Sequence, residues 1–327
     1  MQIEKCKLKL NFISTPTKFH EMEKLRTELS CKPRLFIKRD DLTEIGLGGN
    51  KTRKLEYIMY EALQKAADCI ITCGGEQSNH VRQTIAYANL LGMEAHVVVS
   101  ADPKVQKTGN LFLFDVLGAT VYFVNELEQC ESECKVIEQK LIKIGKNPYI
   151  IPLGASTPLG SMGYIESASE IASQSKELQI KPQALFVASS SAATQAGLEI
   201  GSRLYMPFCK VYGIAVSCDK KTQQEKVAKL INETCKYLSL NIDVRSEDVC
   251  IYDEYFGGKY AVPTKECIEA IKLVGRTEAI ILDPVYSGKA MSGMLDLLRK
   301  GQLDCYESVV FVHTGGSPAI HKFTEYF

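Results

Sequence analysis

The sequence predicts an α/β protein in which short, mostly parallel strands are covered by helices on both faces. Three observations lead to this class: strand-like segments alternate with segments of helical periodicity, the strand-like segments are mostly apolar, and many end in turns rich in glycine or serine. Strands buried on both faces of a parallel sheet have this apolar composition. At 327 residues the chain is long enough for two domains or for one large α/β unit.

The first half of the chain alternates strands and helices. Residues 34–38 (RLFIK) predict a short strand, and apolar positions after Lys51 recur with the period of an amphipathic helix. Further strands are predicted at 69–72, 96–99, 120–124 and 149–151, and further helices at 79–91, 109–117 and 131–144. This alternation is expected of parallel strands joined by helical crossovers.

The second half continues the pattern after a loop rich in glycine, serine and proline at 152–163, which a helix to about residue 176 follows. Further strands are predicted at 184–188, 211–216 and 309–312, with helices after residue 194 and over 222–238. In open α/β sheets, ligands bind beyond the carboxyl ends of the strands, where the polar turns of this chain lie. We therefore expect these turns to share one site.

The composition argues against several classes of function. Lys+Arg and Asp+Glu both number 39, and no basic stripe suggests nucleic-acid binding. No apolar run is long enough to cross a bilayer, and the first twelve residues alternate charged and apolar side chains, unlike a signal peptide. We expect a small molecule bound in a cleft, with neither nucleic acid nor a membrane as partner.

The 12 cysteines and 5 histidines are spread along the chain. No C-x-x-C occurs, and no histidine lies near a cysteine cluster with the spacing of zinc ligands. We therefore expect no metal site, and reduced thiols in the cytoplasm.

Lys51 is the candidate nucleophile. It follows the glycines of Gly48-Gly49-Asn50 at the predicted start of a helix, where the backbone dipole is positive and Arg53 and Lys54 lie close by. These charges disfavour the ammonium form, which lowers the pKa of Lys51 and frees a nucleophilic amine. The alternative is an ordinary solvated lysine in the first turn of a helix.

Two polar turns are candidate anion cradles. Gln77, Ser78 and Asn79 lie between a strand and a helix, where side chains and backbone amides can hold a carboxylate; Ser78 is equally explained as a helix N-cap. The second turn consists of Ser189, Ser190, Ser191, Ala192, Ala193 and Thr194. Its hydroxyls and backbone amides can hold a phosphate, or its serines can simply cap the next helix. The motifs of a P-loop and of a dinucleotide-binding fold are both missing.

Two later turns add further candidates. Tyr286 lies beside glycine in the segment 283–289, and Thr314 lies in the segment 313–316. A tyrosine in such a loop can act as an acid or base, although most buried tyrosines pack structurally. A lysine nucleophile with phosphate and carboxylate cradles is consistent with pyridoxal phosphate held by the lysine and acting on an amino acid.

The motifs resemble those of the family that contains D-cysteine desulfhydrase and 1-aminocyclopropane-1-carboxylate deaminase, within the tryptophan-synthase-β-like group of pyridoxal phosphate enzymes. The matching segments span nearly the whole chain and are 38–57 (KRDDLTEIGLGGNKTRKLEY), 74–88 (GGEQSNHVRQTIAYA), 152–164 (PLGASTPLGSMGY), 194–198 (TQAGL), 282–291 (LDPVYSGKAM) and 311–319 (FVHTGGSPA). The resemblance implies a homodimer with a small α/β domain, 52–160, inserted into a large cofactor-binding domain, 1–51 and 161–327.

The resemblance also implies roles for cofactor-binding residues. Lys51 would bind pyridoxal phosphate covalently, Lys54 and the turn 189–194 would bind its phosphate, and Asn79 would face its 3-oxygen. The deaminases typically have glutamate and leucine where this chain has Ser287 and Thr314, which resemble the desulfhydrases. A carboxylate at the pyridine nitrogen makes the ring a stronger electron sink than a hydroxyl does, as ring opening requires.

Further roles concern the substrate. By resemblance, Gln77, Ser78 and Asn79 would bind its carboxylate, and Tyr286 and Tyr260 would be the tyrosines of the site. Four positions have alanine or serine where the family typically has glycine. They are Ala155, Ala192, Ala193 and Ser190.

The activity implied is β-elimination from a small amino acid, first of all D-cysteine, to pyruvate, ammonia and hydrogen sulfide. Either Lys51 or Tyr286 would remove the α-proton. The alternatives are 1-aminocyclopropane-1-carboxylate deaminase, a lyase for cysteate, D-serine or β-chloro-D-alanine, and a non-catalytic protein that binds pyridoxal phosphate.

Overall fold

A computed structural model describes residues 8–327. Its strands are β1 (Phe19–Glu21), β2 (Arg34–Arg39), β3 (Cys69–Gly75), β4 (Glu94–Ser100), β5 (Thr120–Val124), β6 (Pro148–Ile150), β7 (Ala184–Ser189), β8 (Lys210–Ala215), β9 (Ile251–Tyr252) and β10 (Ser308–His313). Its helices are α1 (Glu23–Leu29), α2 (Asn50–Gln64), α3 (Asn79–Leu90), α4 (Gly109–Val116), α5 (Cys130–Lys143), α6 (Pro158–Glu177), α7 (Ala193–Tyr205), α8 (Lys220–Tyr237), α9 (Lys265–Glu278) and α10 (Ser287–Arg299). The first twelve residues are expected not to form a signal peptide, and residues 1–7 of this stretch lie outside the described residues.

The strands form two sheets, which confirms the predicted α/β class. The larger sheet has the order β1-β2-β10-β7-β8-β9, and the smaller has the order β5-β4-β3-β6. All pairings are parallel except that of β1 with β2. Apolar strand residues pack against the helices, and β10 is buried along its whole length. Within residues 8–327, none of the helices has the length and apolar composition needed to span a bilayer.

The predicted domain boundaries run through the first turns of two helices, since α2 begins at Asn50 and α6 at Pro158. The strands β3 to β6 lie within 52–160, and the strands of the larger sheet lie outside this range. Sheet membership alone does not set boundaries at 51/52 and 160/161, so the division into two domains stays a prediction.

The predicted loop 152–163 is wrong in its second half, because α6 already begins at Pro158. The side chain of Thr157 accepts a hydrogen bond from the amide of Gly160, and proline is favoured in the first turn of a helix. The glycines here serve close packing: a Cβ on Gly163 would lie 2.4 Å from the carbonyl oxygen of Arg53. The helices α6 and α2 therefore pack with their backbones in contact.

A buried network of charges joins β2, the turn after it, α2 and α6. The guanidinium of Arg53 donates to Asp40 Oδ1 at 2.9 Å and to Glu170 Oε1 at 2.8 Å. Lys38 Nζ donates to Glu170 Oε2 at 2.7 Å, and the Tyr164 hydroxyl donates to Asp40 Oδ2 at 2.8 Å. The network fixes α2, the helix that carries Lys51, against α6 and the larger sheet.

Candidate active site

A cavity of about 470 Å³ lies beyond the carboxyl ends of strands from both sheets. Its walls include residues that follow β3, β6, β7 and β10, so the polar turns do come together. The expected site residues that line it are Lys51, Ser78, Asn79, Ser189, Ser190, Ser191, Ala192, Thr194, Tyr260, Tyr286 and Thr314. Four expected residues do not line it, namely Lys54, Gln77, Ala193 and Ser287.

Lys51 lies in the first turn of α2, directly after the glycine turn, as the sequence predicts. Its Nζ lies 3.4 Å from the carbonyl oxygen of Gly154 and 3.4 Å from Ser191 Oγ. Burial lowers the pKa of Lys51 to about 8, while contact with Lys54 opposes the shift. The expectation that Arg53 and Lys54 lower this pKa is wrong, because the guanidinium of Arg53 is paired with Asp40 and Glu170 and the contact with Lys54 raises the pKa.

Two more basic side chains lie beside Lys51. Lys54 is buried behind the cavity wall, with Nζ 3.3 Å from the carbonyl oxygen of Gly154, and burial and the charge of Lys51 lower its pKa far below the ordinary value. His80 lines the cavity, with Nε2 2.7 Å from Thr72 Oγ1, and burial and the two lysines hold its pKa well below 6.5. The imidazole is therefore neutral at neutral pH. The sequence did not single out His80, although it adjoins Asn79 in the same turn.

Ser78 is the N-cap of α3, because its Oγ accepts a hydrogen bond from the amide of Val81 at 3.2 Å. This confirms the structural alternative for Ser78, and the residue also lines the cavity. Gln77 is placed differently: its Nε2 donates to the carbonyl of Thr108 and its Oε1 accepts from the amide of Asn110. The expected contact of the Gln77 side chain with substrate is therefore not supported by its position, because Thr108 and Asn110, at the start of α4, bond both of its polar atoms.

The carboxamide of Asn79 has a defined orientation. Its Oδ1 accepts hydrogen bonds from Arg82 Nη1 at 2.9 Å and from Asn110 Nδ2 at 2.8 Å, which leaves the NH₂ group for the cavity. The same guanidinium donates to the carbonyl oxygens of Gly46 and Gly48. Arg82 thus links Asn79 to the glycine turn before Lys51. The sequence did not reveal this residue, because its basic side chain looks like any surface arginine.

The turn 189–194 leads into α7, whose N-cap residue is Ala192 and has no hydroxyl to cap the helix. The alternative of a serine cap is therefore wrong for this turn: Ser189 Oγ accepts from Gln223, and Ser190 Oγ donates to Ser217. The first-turn amides of a helix have no partners within it and favour anions. The amide of Ala193 donates to Ser156 Oγ at 3.0 Å, and the other first-turn amides of α7 fit a phosphate group.

Ala192 adopts backbone angles of φ 78° and ψ −43°, and the amide of Ala193 donates to the carbonyl of Ser191 at 3.2 Å. These are the features of a strained γ-turn. Ala155 also has a positive φ, of 53°. Glycine adopts such angles without a steric penalty, which explains why the family pattern has glycine at these two departures.

We expect the substitution Ala192→Gly to raise the free energy of unfolding by about 1 kcal/mol, because it releases the strain of the γ-turn. Equilibrium unfolding in urea would measure this change. The matched control is Ala193→Gly in the first turn of α7, which should lower the free energy of unfolding. Equal effects of the two substitutions would contradict the strain at Ala192.

Tyr260 and Tyr286 meet at the cavity wall. Their hydroxyls are hydrogen-bonded to each other, and their rings contact edge to face with centroids 6.0 Å apart. Burial raises the pKa of Tyr260 to about 12, and burial and Tyr260 raise the pKa of Tyr286 well above its ordinary value. Both phenols are therefore protonated at neutral pH.

Ser287 and Thr314 are placed differently. Ser287 Oγ donates to Asp283 Oδ1 at 2.6 Å and lies fully buried behind the cavity wall. Thr314 lines the cavity, and its carbonyl accepts from the amide of Asn50 at 2.9 Å. Asn50 Nδ2 also donates to Thr194 Oγ1 at 2.9 Å, so this residue, which the sequence left without a role, joins the segments around Lys51, Thr314 and Thr194.

The donors around the cavity fit pyridoxal phosphate. The first-turn amides of α7 suit the phosphate, and the amine of Lys51 suits the aldehyde. The NH₂ group of Asn79 and the hydroxyl of Thr314 suit polar ring atoms. An anion site and an amine in one cavity are what a cofactor with a phosphate and an aldehyde group needs.

Comparisons with known proteins also support a site for pyridoxal phosphate. The chain is 37% identical over 322 residues to D-cysteine desulfhydrase of Salmonella typhimurium, which covers 96% of each protein. A crystal structure of an ACC deaminase homologue superposes with a TM-score of 0.91 at 34% identity, covering 99% of this chain and 97% of the other. Serine racemase from Dictyostelium discoideum, at 17% identity and a TM-score of 0.69 over 96% of this chain and 97% of its own, shares the fold.

The family profile described as pyridoxal-phosphate dependent enzyme matches residues 10–315. This range holds every residue that lines the cavity. The protein therefore belongs to the family of pyridoxal-phosphate dependent enzymes.

Proposed function

We propose that the protein is a carbon–sulfur lyase that carries out β-elimination on D-cysteine and releases pyruvate, ammonia and hydrogen sulfide. The observation that carries this proposal is the 37% identity to D-cysteine desulfhydrase over 96% of both chains. Ser287 and Thr314 support it, because they differ from the glutamate and leucine typical of the deaminases.

The cofactor site would draw on several segments. Lys51 would hold pyridoxal phosphate covalently, and the turn 189–194 would hold its phosphate at the start of α7. Lys54 would act from behind the wall, through its charge and the shared carbonyl of Gly154. When bound, pyridoxal phosphate supplies an electron sink that makes the α-proton of an amino acid acidic.

The substrate carboxylate would bind at the start of α3. Ser78 accepts a bond from Val81 and keeps its hydroxyl proton to donate, and Asn79 presents its NH₂ group beside it. Gln77 would join them only after its side chain leaves Thr108 and Asn110. A carboxylate held there fixes the direction of the bond from the α-carbon to its proton.

Proton transfer would involve Lys51 and the tyrosine pair. A pKa of about 8 lets the amine of Lys51 accept the α-proton near neutral pH. Tyr286 is kept protonated and is hydrogen-bonded to Tyr260. It would donate a proton to the departing thiolate, or it would exchange a proton with Lys51 after Lys51 has accepted the α-proton.

Thr314, rather than Ser287, would face the ring nitrogen, because Ser287 is bonded to Asp283 behind the wall. A hydroxyl at this place stabilises a protonated ring less than a carboxylate does. This weaker electron sink suffices when a thiolate, a good leaving group, departs from the β-carbon.

The decisive experiment measures pyruvate and sulfide released from D-cysteine and from L-cysteine. We expect stoichiometric release from the D enantiomer and little from the L enantiomer. Ammonia without sulfide from 1-aminocyclopropane-1-carboxylate would favour the deaminase instead, and turnover only of cysteate, D-serine or β-chloro-D-alanine would favour another lyase. Bound cofactor with no turnover of any of these would favour a non-catalytic binding protein.

The proposal includes a homodimer in the cytoplasm, with the small domain 52–160 inserted into the large domain 1–51 and 161–327. The cavity has walls from segments of both proposed domains, so a small rotation between them would open it to substrate and close it against water. Its other partners would be the small amino acid and pyridoxal phosphate alone.

A further inference from the structure

Lys289 is a buried cation outside the cavity. Its side chain on α10 is fully shielded from solvent, and no carboxylate among residues 8–327 forms an ion pair with it. Its Nζ donates instead to the carbonyl oxygen of Phe256 at 2.7 Å and lies 3.5 Å from that of Lys259. The Nζ also lies 5.5 Å from the centre of the Phe256 ring. Burying an ammonium group without a carboxylate partner is costly, which suggests that these contacts with the segment 256–259 serve a purpose.

The carbonyl groups of Phe256 and Lys259 lie on either side of two glycines in an exposed turn. Gly257 and Gly258 both have positive φ, of 76° and 75°, and are exposed, as is Lys259. The segment 253–262 contains neither strand nor helix, and its backbone hydrogen bonds include that from the amide of Phe256 to the carbonyl of Asp253. Adjacent glycines allow many backbone conformations, so a contact on each side of them restricts the turn strongly.

Tyr260 directly follows this turn. Its ring packs near Val285 and Phe323. Because the hydroxyl lies on the axis of the ring, the backbone before Tyr260 helps to determine where the hydroxyl is placed. The hydroxyl meets that of Tyr286, and Tyr286 lies immediately before α10, three positions ahead of Lys289. The same helix thus positions one tyrosine directly and the other through the amine of Lys289.

We propose that Lys289 is a positioning residue: its amine holds the turn 256–259 so that Tyr260 reaches Tyr286 at the cavity wall. The proposal rests on the proposed function, since it gives the tyrosine pair a part in turnover. Lys289 itself touches neither the cavity nor the residues expected to bind the cofactor.

The test compares Lys289→Met, Tyr260→Phe and the double variant. If Lys289 acts only through Tyr260, each single substitution lowers kcat by a similar factor, at least about tenfold, and the double variant loses no more than Tyr260→Phe alone. The absorbance of bound cofactor stays as in the wild type. Losses that multiply in the double variant, or a Tyr260→Phe enzyme with wild-type kcat, would overturn the proposal.

A second measurement needs no substrate. Trypsin should cleave after Lys259 at least about tenfold faster in Lys289→Met than in the wild type, because the turn opens more often. The control is Lys300→Met at the end of the same helix, an exposed lysine paired with Asp296, which should change neither cleavage nor kcat. If Lys289→Met does not fold, Lys289→Gln, which keeps an NH₂ group as donor, should still be cleaved after Lys259 faster than the wild type. Unchanged cleavage in Lys289→Met would overturn the role of Lys289, whatever the substrate of the enzyme is. A wild-type protein that is inactive on D-cysteine would refute only the proposed D-cysteine lyase activity.

Discussion

Replacing Lys51 with alanine is expected to remove the visible absorbance of the cofactor and to abolish turnover of D-cysteine. Lys51 carries the amine that lines the cavity beside Ser191, and burial keeps its pKa at about 8. The lowered pKa gives Lys51 a far larger fraction of uncharged amine near neutral pH than an ordinary lysine has, and the uncharged amine is the form that condenses with an aldehyde. Absorbance spectra of the purified protein with added pyridoxal phosphate, and a sulfide assay, measure the two losses.

Two controls separate chemistry from folding. Lys51→Arg keeps a positive charge but offers no amine for the aldehyde, so it should also lose both signals while unfolding at the same urea concentration as the wild type. Lys65→Ala, at the exposed end of the same helix, should keep both signals. Absorbance or turnover retained in Lys51→Ala would exclude Lys51 as the cofactor-binding residue and draw attention to Lys54.

The second large effect is expected from Arg53→Met, which should lower the free energy of unfolding by about 3–5 kcal/mol. The substitution leaves Asp40 and Glu170 buried without their shared cation. Urea unfolding of the cofactor-free protein measures the loss. Arg245→Met, which removes an exposed arginine paired with Asp248, is the matched control and should change stability little. Equal losses in both variants would contradict the importance of the buried network.

The same network predicts a pH dependence. Burial alone would raise the pKa of Asp40, but the charges of Arg53 and Lys38 outweigh it and hold that pKa below its ordinary value of 3.8. A carboxyl group whose pKa is lower in the folded than in the unfolded state stabilises the fold above the unfolded pKa, and the effect is lost as the pH falls through the folded pKa. Without Arg53 the pKa of Asp40 rises, so Asp40 should cost the variant less stability on acidification than it costs the wild type, and the difference in free energy of unfolding between the two proteins should shrink as the pH falls. Unfolding curves from pH 7 down to pH 3 would reveal this difference.

Local sequence patterns predicted the described strands except β1 and β9, and they predicted the position of Lys51. Apolar segments bounded by glycine identify β3 and β7, and the glycines before Lys51 identify the start of α2, because both signals depend on neighbours in the chain. The helices α1, α9 and α10 were missed, although α9 buries residues with helical spacing.

Side-chain direction was less predictable, because it depends on partners that are distant in sequence. Gln77 is turned toward Thr108 and Asn110, about thirty positions away, and its motif contains no sign of them. Arg53 looks like a cationic neighbour of Lys51, yet its partner Glu170 lies 117 positions further along the chain. The family resemblance supplies residue types and order, whereas these contacts depend on how the elements pack.

The order of strands in the larger sheet has a consequence for biosynthesis. β10 lies between β2 and β7, although it is made after all the other strands of that sheet. Until residues 308–313 leave the ribosome, β2 and β7 each have an unpaired edge, and Thr314 is missing from the cavity wall. Such long-range pairings form slowly, and exposed edges of this kind favour aggregation. The nascent chain therefore passes through a long interval in which most of its core is present but the site is incomplete. During this interval chaperones could protect the unpaired edges of β2 and β7.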